Sequence, residues 1–360
     1  MDLEDKMTVR FNNIHLVFVL LAMLLISLPL YAQRQEADID YGVHGLDYSR
    51  VGRSGFQFLK LPTTSRFAAL AGAGTALGFG DAGAALANPA CMTDVQNLDA
   101  FFSSMSWIAD IQYSSASLVK SFSRVGSFGL SFINVDYGTM ERTEHQIIYD
   151  DDGESTGKTM PAYNLGTFTG GDIAVGLSYA RDVTDRLKFG ITARYVYETL
   201  DDAGTGVWSI DVGTIYYTGF KSLRIAMLGQ HFGPDAEFLG YDEQIQIPAQ
   251  SVRLPQQLHI GAAFDILEER NDSPHRLTLS TEFINPNDGP EKVNVGAEYE
   301  MYKFVTLRGG YRFNYDEESF TAGAAIKIVT DGIRINLNYA YVDFGRLNSV
   351  NMFSVGFNLK

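Results

Sequence analysis

Six histidines, one cysteine and a run of carboxylates are the residues whose chemistry has to be weighed first. The histidines stand at 15, 44, 145, 231, 259 and 275. None falls into a metal-binding spacing such as H-E-x-x-H. No G-x-S-x-G nucleophile elbow and no G-x-x-x-x-G-K phosphate loop is present. Gly72-Ala73-Gly74 with Gly78 has the look of a dinucleotide loop, but the third glycine is misplaced and no βαβ unit follows. Asp150-Asp151-Asp152-Gly153-Glu154 offers carboxylates to calcium without the alternation of an EF-hand loop, and reads as a solvated acidic loop. His259 with Asp265, or His231 with Asp235, would have to be forced into a catalytic role. Cys91, the single cysteine, cannot form an internal disulfide and reads as a small buried residue. No enzyme, no cofactor and no metal is expected.

The remaining charges make sense once the elements that carry them are drawn. From Leu98 onward the side chains alternate with a period of two. Ile173, Val175, Leu177 and Tyr179 alternate with Ala174, Gly176, Ser178 and Ala180. Val305, Leu307, Gly309, Tyr311 and Phe313 alternate with Thr306, Arg308, Gly310 and Arg312. One face is apolar with aromatics at its ends; the other is small, polar or charged. The runs reach about 10–12 residues, longer than the usual 5–6 of soluble sheets. That length, with 24 Phe and 19 Tyr in the chain, is the pattern of a transmembrane β-barrel. Fourteen strands can be counted, at 98–108, 111–122, 127–140, 171–182, 187–199, 206–218, 222–231, 257–267, 275–285, 291–301, 304–313, 318–329, 332–343 and 349–359. The two long connections, 141–170 and 232–256, then fall on one side, and that side is expected to face outward. The fold class is therefore all-β, a 14-stranded antiparallel barrel.

The charged face would line the lumen. It carries Lys188, Arg194, Asp211, Arg224, Asp265, Glu282, Glu298, Arg308, Arg312 and Lys327. Enclosed charges need partners. An internal set of salt bridges holding an inserted plug is favoured over a polar conduit. The plug would be residues 55–97, whose middle, RFAALAGAGTALGFGDAGAALANPA, is almost all Ala and Gly. Small side chains cannot build a core alone, but they let backbone approach backbone. Gly55 to Lys60 is expected as a short strand or extended segment. Thr63 to Leu70 is expected as a short helix capped by Thr64 or Ser65, and Ala82 to Ala87 as a second capped by Asp81. Asn88-Pro89-Ala90 is expected as a rigid corner leading into the first strand. Asp81 is expected to meet Arg308 or Arg312.

Composition agrees with this reading. The chain has 360 residues and a net charge of −15, which argues against a nucleic-acid partner. Hydrophobic residues are 46%, yet mean hydropathy is only −0.05. No helix-length apolar run exists after residue 30. Residues 1–32 read as a secretory signal peptide cleaved after Ala32, from a start at Met1 or Met7. Residues 33–54 would be a flexible lead-in, 55–97 the N-terminal hatch and 98–360 the barrel, set in outer-membrane lipid.

The stretch Gly55-Phe56-Gln57-Phe58-Leu59-Lys60, Ser65-Arg66-Phe67-Ala68, Gly72-Ala73, Ala76, Asp81 and Asn88-Pro89-Ala90 resembles the opening of the PorV/PorQ family. These are outer-membrane barrels related to the FadL fatty-acid transporters, which share a small-residue hatch ending in Asn-Pro-Ala. The resemblance implies that Arg66, Gly72, Asp81, Asn88, Pro89 and Ala90 form the hatch motif. It implies a part in type IX secretion, with the secretion translocon and cargo C-terminal signal domains as partners. The relation to FadL implies the alternative, passage of hydrophobic small molecules through the wall. The long connections carry a candidate partner-binding rim at Ile147, Tyr149, Phe238, Leu239, Tyr241 and Ile245.

Overall fold

The computed structural model describes residues 52–123, 125–149, 152–162, 165–237, 251–268, 274–330 and 332–359. The expected signal peptide, nearly all of the lead-in, and the rim residues Phe238, Leu239, Tyr241 and Ile245 lie outside these.

Fourteen antiparallel strands close into a barrel. They are Leu98–Ser106, Gln112–Phe122, Gly126–Glu141, Thr167–Asp182, Leu187–Leu200, Ala203–Tyr217, Arg224–Phe232, Gln257–Leu267, His275–Pro286, Lys292–Met301, Val305–Phe313, Phe320–Thr330, Ile333–Asp343 and Ser349–Leu359. Each pairs with its sequence neighbours, and Leu98–Ser106 pairs with Ser349–Leu359 to close the ring. All fourteen expected strands are present. Among the described residues no helix is long and apolar enough to cross a membrane.

The two-residue period sorts the faces as expected. Val175 and Leu177 are 49% and 59% exposed, whereas Ala174 and Ser178 are buried. The same outward apolar band includes Leu130, Ile260, Leu307 and Phe353. The strands that flank both long connections end at the same mouth of the barrel, opposite the short turns at 183–186 and 302–304. The first long connection is not a loop as expected. It folds as a β-hairpin of Glu144–Tyr149 with Ser155–Ala162. The strands flanking it also run on to 16 residues each. Periodicity missed this because its polar residues continue as strand where there is no lipid to face.

Residues 55–97 fill the barrel, and their helical turns start where the sequence places caps. Thr64 caps the helix Ser65–Ala69 and accepts from Phe67 N. Asp81 caps a tighter 3-10 turn, Ala82–Leu86, and accepts from Gly83 N. Two expectations are corrected. Gln57–Lys60 is a 3-10 turn, not a strand, and Phe56 before it has φ 52°. The cause is tertiary: Gly55 N donates to Arg253 O and Phe56 N to Glu198, which pins the backbone. Asn88-Pro89 does not lead directly into the first strand but opens a further 3-10 turn, Pro89–Asp94. Proline suits the first position of such a turn, because its missing N–H would be unpaired there anyway.

The segment runs from one end of the barrel to the other. Ser54 bridges to Arg253, and Lys60 pairs with Asp288 at 2.9 Å, both at the long-connection end. Burial alone would raise the Asp288 carboxyl, but hydrogen bonds from Ser54, Gln57 and Lys60 outweigh it and hold it below its ordinary range. Asn97 accepts from Ser121 N at the short-turn end.

Glycines on the inner wall mark where backbone meets backbone. A Cβ at Gly190 would sit 2.3 Å from Ala90 N, and one at Gly310 would sit 2.6 Å from Leu70 C. Gly309, next door but facing outward, would have only Thr321 O at 3.8 Å. Gly310→Ala is therefore expected to cost about 1–3 kcal/mol by overpacking. Gly309→Ala is expected to be neutral or to stabilise by about 0.4–1 kcal/mol. Urea titration of the barrel in lipid vesicles measures both; equal effects would show that the segment does not press on this wall.

Candidate functional site

The lumen brings the expected charges together in pairs. Arg66 reaches Glu298 with two bonds of 2.8 Å, and Arg308 reaches the same carboxylate at 2.7 Å. Glu298 is buried at 5% exposure, and the side chains of Arg308 and Arg66 are 7% and 14% exposed. Arg194 pairs with Asp211 at 3.2 Å, Arg224 with Asp265 at 2.9 Å and Lys327 with Glu300 at 3.1 Å. Lys188 pairs with Asp94 and Arg312 with Glu318. Glu282 accepts from Thr75 N at 3.0 Å and Thr75 Oγ1 at 2.7 Å, and contacts His259 Nδ1 at 2.6 Å. Each of the ten wall charges thus has a partner, and several of those partners belong to the 55–97 segment. His259 is held by Glu282 and Gln257, not by Asp265. Asp265 instead binds Arg224 and Thr278.

The motif residues are distributed through this lumen. Gly72 has φ 87° and lies against Asn294 and Phe67. Asp81 lies beside Arg66 and Arg308 and not beside Arg312, which donates to Ala71 O. Asn88 is fully buried; its Oδ1 accepts from Ala90 N and its Nδ2 donates to Thr75 O. Pro89 and Ala90 press on Gly190. Cys91 is buried and reaches Leu77 O at 3.5 Å. Of the rim, Ile147 and Tyr149 are 48% and 60% exposed on the hairpin of the first long connection. Met160 on the partner strand is 52% exposed and was missed, because the connection was not read as paired strands.

Above the segment, toward the long connections, lies a cavity of about 290 Å³. Leu59, Phe67, Trp107, Leu228 and Ile284 give it an apolar part; Lys292 and Arg312 give it a charged one. His231 lines it too. That residue is also where the wall breaks. His231 has φ 61°, and the pairing of Ala203–Tyr217 with Arg224–Phe232 shifts register between Ile210 and Val212. A positive φ at a residue with a bulky ring is held only by its surroundings. His231 N donates to Asp211 and its Nδ1 meets Pro255 O at 3.1 Å.

Beyond the bulge the neighbouring strand turns away. Among the described residues, no strand pairs 203–209 on that side. A second cavity, of about 460 Å³, opens there between Tyr197, Gly206, Trp208, Pro234 and Glu237. One hydrogen bond, Thr205 Oγ1 to Glu237 O at 2.8 Å, crosses the gap. In the sequence, His231 stood out only as a forced catalytic candidate. Gly229, Gly233 and Pro234 around it were the signal for a bulge, since glycine and proline in a strand mark irregular pairing.

No protein-family model matches the chain, and no curated protein matches it. Solved structures do. The CymD monoaromatic hydrocarbon channel aligns with a TM-score of 0.52 at 13% identity, covering 83% of this chain and 97% of that one. The toluene transporter TbuX of Ralstonia pickettii aligns with a TM-score of 0.50 at 15% identity, covering 85% and 100%. The fold is that of these two barrels. At these identities the likeness is one of fold, and neither structure bears on the PorV/PorQ assignment.

Proposed function

We propose that the chain is an outer-membrane transporter of hydrophobic small molecules. The ligand enters the cavity at the outer end and leaves sideways through the wall, while the 55–97 segment acts as a hatch that keeps the lumen shut to water. The observation that carries this reading is the position of His231. It lines the outer cavity and also forms the bulge at which the wall opens. The apolar part of that cavity supplies the path that alternating small and charged wall residues did not suggest. The fold shared with hydrocarbon channels supports the same reading.

Deleting His231 removes the extra residue and lets the two strands pair onward, which closes the gap. Toluene entry into vesicles containing the full chain is expected to fall to the level of empty vesicles, with the barrel still folded by heat-modifiable migration. Wild-type entry through a folded, bulge-free barrel would sink the proposal.

The secretion reading has one observation of its own, the exposed Ile147, Tyr149 and Met160 on the hairpin of the first long connection. Under it the partners are the secretion translocon and cargo C-terminal signal domains. Removing 144–162 would then abolish cargo secretion and leave toluene entry unchanged.

A further inference from the structure

The wall opens at a point where an acid stands. Between the pairs Ile210–Phe232 and Val212–Gly229, the two residues Gln230 and His231 face the single residue Asp211. A bulge of this kind leaves its extra residue outside the ladder, and a buried N–H still needs an acceptor. His231 N finds one in a side chain, donating to Asp211 Oδ1 at 2.8 Å. His231 is 1% exposed and Asp211 2%, so water does not compete for this bond. The other carboxylate oxygen is held from the neighbouring strand on the far side. Arg194 stands two residues along from Thr192, which faces Asp211, and reaches Oδ2 at 3.2 Å.

Holding the inserted segment does not account for this acid. Glu298 binds Arg66 and Glu282 binds Thr75, both of the segment, whereas the hydrogen bond and ion pair of Asp211 stay within the wall. Its row in the wall does not call for a charge either. Gly129, Ser178 and Thr192 stand in line with it across the ladder, all small and neutral. The acid comes where the ladder breaks. A buried carboxylate is costly without partners, and here the partners are one bulged amide and the arginine that fixes it. We propose that Asp211 is the positioning residue of the side opening: it holds the His231 amide, so the bulge persists and the strand beyond it turns away. Its part in transport rests on the gap being the ligand's exit; its part in the bulge does not.

Arg194→Gln goes into both test variants, so that no lone cation is left in the wall. Beside it, Asp211→Ala removes the acceptor and Asp211→Asn keeps an oxygen in its place. Full chains are folded in lipid vesicles, checked by heat-modifiable migration, and followed by toluene entry and by amide hydrogen exchange of 203–209. Asp211→Ala is expected to shift the balance toward the bulge-free register about tenfold or more, the effect of a buried N–H left unmet. Toluene entry should fall by that factor and exchange in 203–209 should slow. Asp211→Asn should keep most of the entry and the wild-type exchange. Wild-type entry and exchange with Asp211→Ala would overturn the positioning role, and an equal loss with Asp211→Asn would overturn the hydrogen bond as its means. Slowed exchange with Asp211→Ala, but no toluene entry through the wild type, would uphold the role and reject the transport reading. Should neither variant fold, the wild type decides: its His231 amide is expected to exchange slowly, and fast exchange there would overturn the proposal.

Discussion

Glu298→Gln is expected to destabilise the barrel by about 3–5 kcal/mol, the usual cost of breaking a buried ion pair from one side. The carboxylate is nearly the sole counter-charge for two guanidiniums. Arg66 comes from the inserted segment and Arg308 from the wall, and both are largely shielded from solvent beside it. Glutamine keeps the shape and can accept one bond, but it leaves two cations facing each other across a neutral amide. Asp81 is the next carboxylate in reach, and its Oδ1 is already the acceptor for Gly83 N. Urea unfolding in lipid vesicles measures the loss. Arg308→Gln is the companion, because it removes one cation and leaves the Arg66–Glu298 pair intact, so its cost should be smaller. A Glu298→Gln loss no larger than that of Arg308→Gln would show that the triad does not fasten the segment to the wall.

Leu177→Arg is expected to cost about 2–4 kcal/mol, the range for a cation on the lipid face of a barrel near the midplane. Leu177 is 59% exposed in the middle of a strand, flanked across the ladder by Leu130 and Ala193. Its neighbour Ser178 points inward, is buried, and shares a hydrogen bond of 2.7 Å with Thr192. From the sequence, an arginine at 178 looks mild unless it collides with the inserted segment. In the structure it would collide, since the neighbouring Gly129 already lies close to Met92 and Ala85. The useful inward control is therefore Ser178→Ala, which loses one hydrogen bond, about 0.5–1.5 kcal/mol. Refolding into vesicles and comparing denaturant midpoints gives both values. Equal costs would refute the assignment of lipid and lumen faces.

Strand number and the facing of side chains were legible because lipid imposes a strict period on every crossing. Ile173 to Ala180 or Val305 to Phe313 suffices to read it. The caps at Thr64 and Asp81 were legible for a local reason, since a side-chain oxygen satisfies its own helix start. What stayed hidden depends on contacts distant in sequence. Phe56 takes a positive φ only because Glu198 and Arg253 fix the backbone around it. The charged wall residues could be named, but not matched: Arg312 found Glu318 and left Asp81 to Arg66 and Arg308. The gap beside Trp208 has no pattern of its own. It arises where His231 bends one strand away from another that reads as an ordinary strand.

The seam between the first and last strands has a consequence for how the molecule comes into being. Asp99, on the first strand, accepts from Ala82 N in the inserted segment and from Asn358 Nδ2 on the last strand. Ser65 likewise touches Ser354, 289 positions away. To enter a finished ring, the segment would have to be drawn from one mouth to the other past all of these contacts. Assembly is simpler if the segment lies on the open sheet while the sheet is still curling and the ring shuts over it. Closure joins the two extremes of the sheet, so it bears the largest loop entropy in the chain and belongs at the slow end of folding. The Ala- and Gly-rich stretch is then a mandrel for the wall. The curvature of the growing sheet is set by what it wraps, and a chain that lost the segment would lose the shape around which its strands assemble.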